Sequence, residues 1–148
     1  PMPRFLMEPG RSIVADAGMT LYTVGSIKRI PGYKQYAAVD GGMTDNPRYA
    51  LYQSRYTVYH GSKTGPTERF DVVGRCCESG DIIQPHVELP ADTCRGDILA
   101  VCTTGAYNYS MASNYNRLPR PPIVMLTPEG SYTAVRRETF ADLTALDE

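Results

Sequence analysis

The stretch "TLYTVGSIK", residues 20–28, is made of β-branched and aromatic residues with no 3.6-residue apolar period, and it reads as a strand. Runs of the same kind recur at "KQYAAVD" (34–40), "SRYTVYH" (54–60), "RFDVVG" (69–74), "DILAVCT" (97–103), "PPIVML" (121–126) and "SYTAVRR" (131–137), with Gly, Pro, Asp or Asn in the connections. They lie close together without long helical patterns between them. The expected body is therefore mainly β, an antiparallel, Greek-key-like barrel or sandwich rather than a parallel sheet. Two short helices flank it. "SIVADAG" (12–18) opens on a capping serine and stops at Gly18. "TFADLTAL" (139–146) opens on Thr139 with Asp142 three residues on, a capping-box pattern that predicts a helix over about 139–146 burying Phe140, Leu143 and Leu146.

A chain of 148 residues with 42% hydrophobic content buries one substantial core. The formal net charge is −1, and no Lys/Arg-rich run is present to neutralise phosphates, which argues against a nucleic-acid partner. No apolar stretch approaches the roughly 20 residues of a membrane helix, and the N-terminus lacks a signal-peptide layout. The expectation is a soluble, cytoplasmic protein. Cys76, Cys77, Cys94 and Cys102 are read as reduced thiols. With only His60 and His86 to join them, and no zinc-loop spacing, no metal site is expected.

Several segments concentrate chemically useful residues. "MEPGRS" (7–12) sets Glu8 and Arg11 around a Pro-Gly turn, an arrangement that a surface ion pair beside a helix start would also produce. "VDGGMTDNPRYALYQSRY" (39–56) joins a Gly41-Gly42 pair and an Asp-Asn-Pro turn to Arg48 and Tyr52, which a short helical turn would place on one face; a solvated turn with a core tyrosine fits the same pattern. "GRCCESGD" (74–81) puts two thiols and Glu78 between two glycines. A strand through it would point Cys76 and Cys77 to opposite faces, one of them a small core residue. The polar, aromatic stretch 104–120, "TGAYNYSMASNYNRLPR", is long for a connection inside a compact domain, and its tyrosines suit the wall of a half-wet pocket.

Taken in order, "EPGRSIVADAG", "AVDGGMTDNPR", "ALYQ", "CCESGD", "GDILAV", "TGAYNYSMASNYN" and "RRETFADL" resemble the diaminopimelate decarboxylase family across essentially the whole chain. The resemblance implies a fold-type III enzyme that uses pyridoxal 5'-phosphate to convert meso-diaminopimelate to lysine and carbon dioxide. Such an enzyme has an N-terminal (β/α)8 barrel followed by a β domain. On this reading residues 1–17 are a remnant of the last barrel strand and helix, and 18–148 form the C-terminal β domain. The barrel with its Schiff-base lysine lies outside this chain, and Lys28, Lys34 and Lys63 do not match that lysine's motif. The chain alone is expected to be inactive.

The same resemblance implies the site. Glu8 would face the cofactor's ring nitrogen, Arg11 would bind phosphate or substrate carboxylate, and Tyr107 would approach cofactor and substrate. Arg48 and Tyr52 would fix the distal carboxylate of diaminopimelate. Glu78 would accept from its distal ammonium, and Cys77 would guide protonation. In this family the Cys-Glu pair enters the other protomer's active site, so a homodimer is implied. Gly74 and Gly80 would let that loop turn. Tyr49 stands where many relatives have proline, and Asn108 where glycine is frequent. The alternatives are a non-catalytic β-domain binding or assembly module, and a related ornithine- or arginine-type decarboxylase domain.

Overall fold

In the computed structural model, which describes residues 2–148, the run at 20–28 lies inside one long strand, β1 (Met19–Ile30). Its first half pairs antiparallel with β6 (Ile98–Cys102), and its second half with β2 (Lys34–Val39). The partner changes at a register shift between Val24 and Ser26, a bulge that bends the strand around the core. With β3 (Val58–His60), β4 (Thr67–Val73) and β5 (Ile82–Pro90), these strands form one six-stranded sheet in the order β3-β6-β1-β2-β4-β5. The sheet curls until its edge strands β3 and β5 lie against each other, and the Tyr56 N–H donates to Gln84 Oε1 across that seam at 2.7 Å. Val24, Phe70, Val72, Ile83, Leu89, Leu99 and Val101 fill the interior. Each such side chain contributes about 1.5–3 kcal/mol by leaving water.

Two features depart from the sequence reading. β2 and β4 run parallel, Ala37 opposite Val72, while every other strand pair is antiparallel. The intervening segment 40–66 holds α2 (Arg48–Tyr52) and β3, and so has the length that a parallel crossover needs. β5 has no counterpart among the expected runs, because Pro85 interrupts it and cannot donate to a ladder. The chain accommodates this proline at a bulge: His86 adopts φ 58° and gives its backbone N–H to Asp71 Oδ1 at 2.9 Å.

The N-terminal helix, α1, covers Arg11–Val14 and tightens into a 3-10 turn over Ala15–Ala17 before Gly18. Its N-cap is Gly10 rather than Ser12, since the Pro-Gly turn already directs the Gly10 carbonyl to the Ile13 N–H at 3.0 Å. The helix end meets the start of the long loop backbone to backbone, with Gly105 N–H donating to Ala15 O at 2.9 Å. A Cβ on Gly105 would lie 2.2 Å from the Val14 carbonyl oxygen, so only glycine permits this contact.

Beyond the barrel, β7 (Ile123–Thr127) and β8 (Gly130–Val135) make a separate hairpin followed by α3 (Phe140–Leu143). The Thr139–Asp142 capping box forms, and Arg136 grips the Asp142 carboxylate through two bonds. The expected buried stripe does not form. α3 is a single turn ending before Leu146, and Phe140 and Leu146 are exposed. Among the described residues no helix is long and apolar enough to cross a membrane.

Candidate functional site

Arg48 opens α2, and the helical turn carries Tyr52 onto the same face. The guanidinium carbon lies 5.3 Å from the Tyr52 ring centre and 5.4 Å from that of Tyr107, so the cation sits between two aromatic faces. Its hydrogen bonding is sparse. One Nη donates to Ser54 Oγ at 3.3 Å, the other reaches the Met111 sulfur at 4.0 Å, and the buried Nε has no partner.

Tyr107 adopts φ 64°, a region that costs a side-chain-bearing residue free energy and that the surrounding loop must hold in place. This directs its hydroxyl to the N-terminal turn, where a Cβ on Gly10 would stand 3.0 Å from the phenolic oxygen. Arg11 follows at once. It lies 6.0 Å from the Tyr56 ring centre and donates to the Thr103 carbonyl at 3.4 Å, and its buried Nε is also unpartnered. Tyr56 in turn donates to Asn108 Oδ1 at 3.4 Å, so Asn108 is buried beneath the Tyr107 turn.

Arg11, Arg48, Tyr52 and Tyr107 thus gather around the α1–α2 side of the barrel. Among the described residues no carboxylate lies within ion-pair distance of either arginine. A guanidinium held by aromatic faces with donors unspent suits a phosphate or carboxylate oxygen, and the donor set therefore fits an anionic cofactor or substrate group. Glu8 is exposed in the extended segment before α1 and makes no hydrogen bond or ion pair among the described residues.

The turn leading into α2 is tightly built. Tyr22 donates to the Asp45 carboxylate, which also accepts the Gly42 N–H at 2.9 Å. A Cβ on Gly41 would stand 2.1 Å from the Tyr22 ring. Burial raises the Asp45 pKa, and burial followed by the Asp45 charge pushes the Tyr22 phenol well above its ordinary value. Both groups stay in place as structural anchors for the segment that carries Arg48.

Cys77 and Glu78 lie on the loop between β4 and β5. β4 ends at Val73, and residues 75–77 form a bend in which Cys77 adopts φ 37°, not the strand expected from the sequence. Cys76 is nevertheless buried and Cys77 exposed, because the bend turns their side chains apart. Burial, reinforced by Asp81, raises the Cys76 thiol pKa. Glu78 is exposed, its carboxylate accepting only from Ser79 Oγ at 3.2 Å and Gly80 N–H at 3.1 Å within its own loop. Neither Cys77 nor Glu78 makes a hydrogen bond or ion pair to Arg11, Arg48, Tyr52 or Tyr107. The two glycines serve unequal ends. A Cβ on Gly74 would lie 2.2 Å from the Asp81 carboxylate, whereas one on Gly80 meets nothing closer than 3.7 Å.

Sequence reasoning missed Tyr56, Asn108, Met111 and Asp81, which support the candidate groups. Asp81 carried a local signal, as the acid closing "GRCCESGD" after Gly74 and Gly80.

A family model described as "Pyridoxal-dependent decarboxylase, C-terminal sheet domain" matches residues 12–105. Diaminopimelate decarboxylase of Bacillus subtilis (strain 168) is 50% identical over 148 residues, covering 99% of this chain and 34% of that protein. The crystal structure of diaminopimelate decarboxylase from M. jannaschii in co-complex with L-lysine superposes with a TM-score of 0.91 at 38% identity, covering 99% of this chain and 33% of that one. Lysine/ornithine decarboxylase from Vibrio vulnificus, complexed with cadaverine, gives a TM-score of 0.68 at 26% identity over 76% of this chain and 31% of that one. The chain therefore spans about a third of the length of the relatives it matches. The match over residues 12–105, together with the likeness to these relatives along the chain, leads to one assignment: the chain belongs to the C-terminal sheet domain family of the pyridoxal-dependent decarboxylases.

Proposed function

We propose that this chain is the C-terminal domain of a diaminopimelate decarboxylase, acting with pyridoxal 5'-phosphate on meso-2,6-diaminopimelate to give L-lysine and carbon dioxide. Bound pyridoxal phosphate supplies the electron sink for loss of the carboxylate. What this chain supplies is recognition. The observation that carries the reading is the pair of arginines, Arg11 and Arg48, held against tyrosine rings with no acidic partner. Arg11 binds the cofactor phosphate or a substrate carboxylate, Glu8 faces the ring nitrogen, and Tyr107 borders both. Arg48 and Tyr52 hold the carboxylate at the substrate's distal end.

Glu78 and Cys77 act in a second protomer of a cytoplasmic homodimer, Glu78 accepting from the distal ammonium and Cys77 guiding the returning proton. Within one chain neither makes a hydrogen bond to Arg48, and both lie exposed on a surface loop, which supports this division of labour. Diaminopimelate is favoured over ornithine as substrate because the half-buried Arg48, its Nε buried without a partner, would be left without an anion beside a tail lacking the second carboxylate. That penalty is about 1–3 kcal/mol.

The test is a full-length enzyme in which this chain replaces the matching C-terminal third of the Bacillus subtilis relative. Lysine and carbon dioxide should form from meso-diaminopimelate with the graft and not with the chain alone. A folded, cofactor-loaded graft that turned over only lysine or ornithine would refute the substrate assignment.

A further inference from the structure

The buried carboxylate of Asp81 has no place in the reading above, yet it touches two of the loops that carry it. One oxygen accepts the Met43 N–H and the other the Cys76 N–H, both at 2.6 Å. Asp81 is 4% exposed, so these bonds form away from competing water. Two glycines admit the carboxylate. A Cβ at Gly42 would come within 2.7 Å of its oxygens, and one at Gly74 within 2.2 Å. Around it the backbones close a ring: Gly74 N–H donates to Asp81 O at 2.9 Å, Arg75 N–H to Gly41 O at 3.1 Å, and Asp81 N–H to Glu78 O at 3.0 Å. The 104–120 loop joins through Asn116, whose amide donates to the Cys76 carbonyl at 3.0 Å, and through Ser113, whose N–H donates to the Thr44 carbonyl at 2.8 Å.

We propose that Asp81 is a positioning residue that fixes the 75–80 loop, and with it Cys77 and Glu78, in register with the 41–46 turn that leads into Arg48. It touches neither substrate nor cofactor; it sets the geometry between one half of the recognition site and the half offered to the second protomer. The inference rests on the roles proposed for Arg48 and Glu78. An uncharged amide at position 81 cannot accept both N–H groups, because its nitrogen end faces a donor. A longer acid does not substitute, since the space left by Gly42 and Gly74 fits the shorter side chain.

The experiment compares Asp81→Asn, Asp81→Glu and Gly74→Ala with the unaltered full-length graft, each saturated with pyridoxal phosphate and assayed well below its thermal midpoint. All three variants should raise KM for meso-diaminopimelate about tenfold or more, the loss expected for one charge-assisted bond. In each variant one additional thiol, Cys76, should react rapidly with a disulfide reagent. An unchanged KM with merely fewer active sites would reduce Asp81 to a folding residue and overturn the proposal. So would a fast-reacting thiol count equal to that of the parent. If the unaltered graft makes no lysine, the functional reading fails, while the thiol count still decides whether Asp81 pins the loop.

Discussion

Replacing Gly41 by alanine tests how the Arg48 segment is held. The new methyl carbon would stand 2.1 and 2.7 Å from two Tyr22 ring carbons and 2.9 Å from Asp45 Oδ1, where unstrained carbon contacts are about 3.5–4.0 Å. Tyr22 is 3% exposed and cannot swing into solvent, so the ring must shift within a packed core. Overpacking of this kind costs about 1–3 kcal/mol. The shift also breaks the Tyr22 hydroxyl bond to Asp45, leaving a buried acceptor short of a donor at about 1–3 kcal/mol more. A total loss of about 3 kcal/mol is expected. Gly25→Ala is the control, because its Cβ would meet only the Ala38 carbonyl at 3.6 Å, and its effect should stay within about 0.5 kcal/mol. Urea unfolding followed by near-ultraviolet circular dichroism suits the protein, since 11 tyrosines and no tryptophan make that signal a report on tyrosine packing. Equal midpoints for Gly41→Ala and Gly25→Ala would show that the turn does not depend on this close approach.

Asp97 supplies a pH-dependent term. Burial alone would raise its pKa, but the Lys63 ammonium at 2.7 Å and the Cys94 N–H at 2.8 Å outweigh burial and hold it below the ordinary carboxylate range; His60 Nε2 lies 3.1 Å away but off the hydrogen-bonding direction. Because the folded value is depressed, the stabilisation is present above the unfolded pKa of about 3.9 and is lost as pH falls toward the folded value. The Tm difference between the parent and Asp97→Asn should therefore be constant near neutrality and shrink below about pH 4, and a difference independent of pH would contradict the assignment. At the C-terminus, Thr139→Ala removes the capping box. It should speed amide hydrogen exchange across Phe140–Leu143 while leaving the barrel strands unchanged, and unaltered exchange in α3 would show that the cap does not hold the turn.

Period-two patterning was enough to identify β1, β2, β4 and β6, because each turns apolar side chains of one face into the core. β5 was not legible. Its proline breaks the pattern, and the bulge that accommodates it depends on Asp71 from another strand. The capping box at Thr139 is a local device and appears as read, whereas the burial of Phe140 and Leu146 depends on what packs beside the turn and does not occur within this chain. The proximity of Arg48 to Tyr52 follows from spacing on a single helical turn. That of Arg48 to Tyr107, and of Asp81 to Met43, follows from three loops meeting in space, for which no sequence interval gives a sign. The Cys76–Cys77 divergence came out as expected for a different reason, a bend with a positive φ in place of a pleat.

The central claim is that Arg48 reads a carboxylate at the far end of the bound amino acid. Decarboxylation at one end of diaminopimelate leaves the other ammonium and carboxylate intact in L-lysine, while cadaverine has lost both carboxylates. The direct measurement is the Kd of each ligand for the cofactor-loaded, full-length graft before and after Arg48→Met. The account predicts that L-lysine binding weakens about tenfold or more while cadaverine binding stays within about twofold. Equal losses for the two ligands, or none for L-lysine, would contradict it.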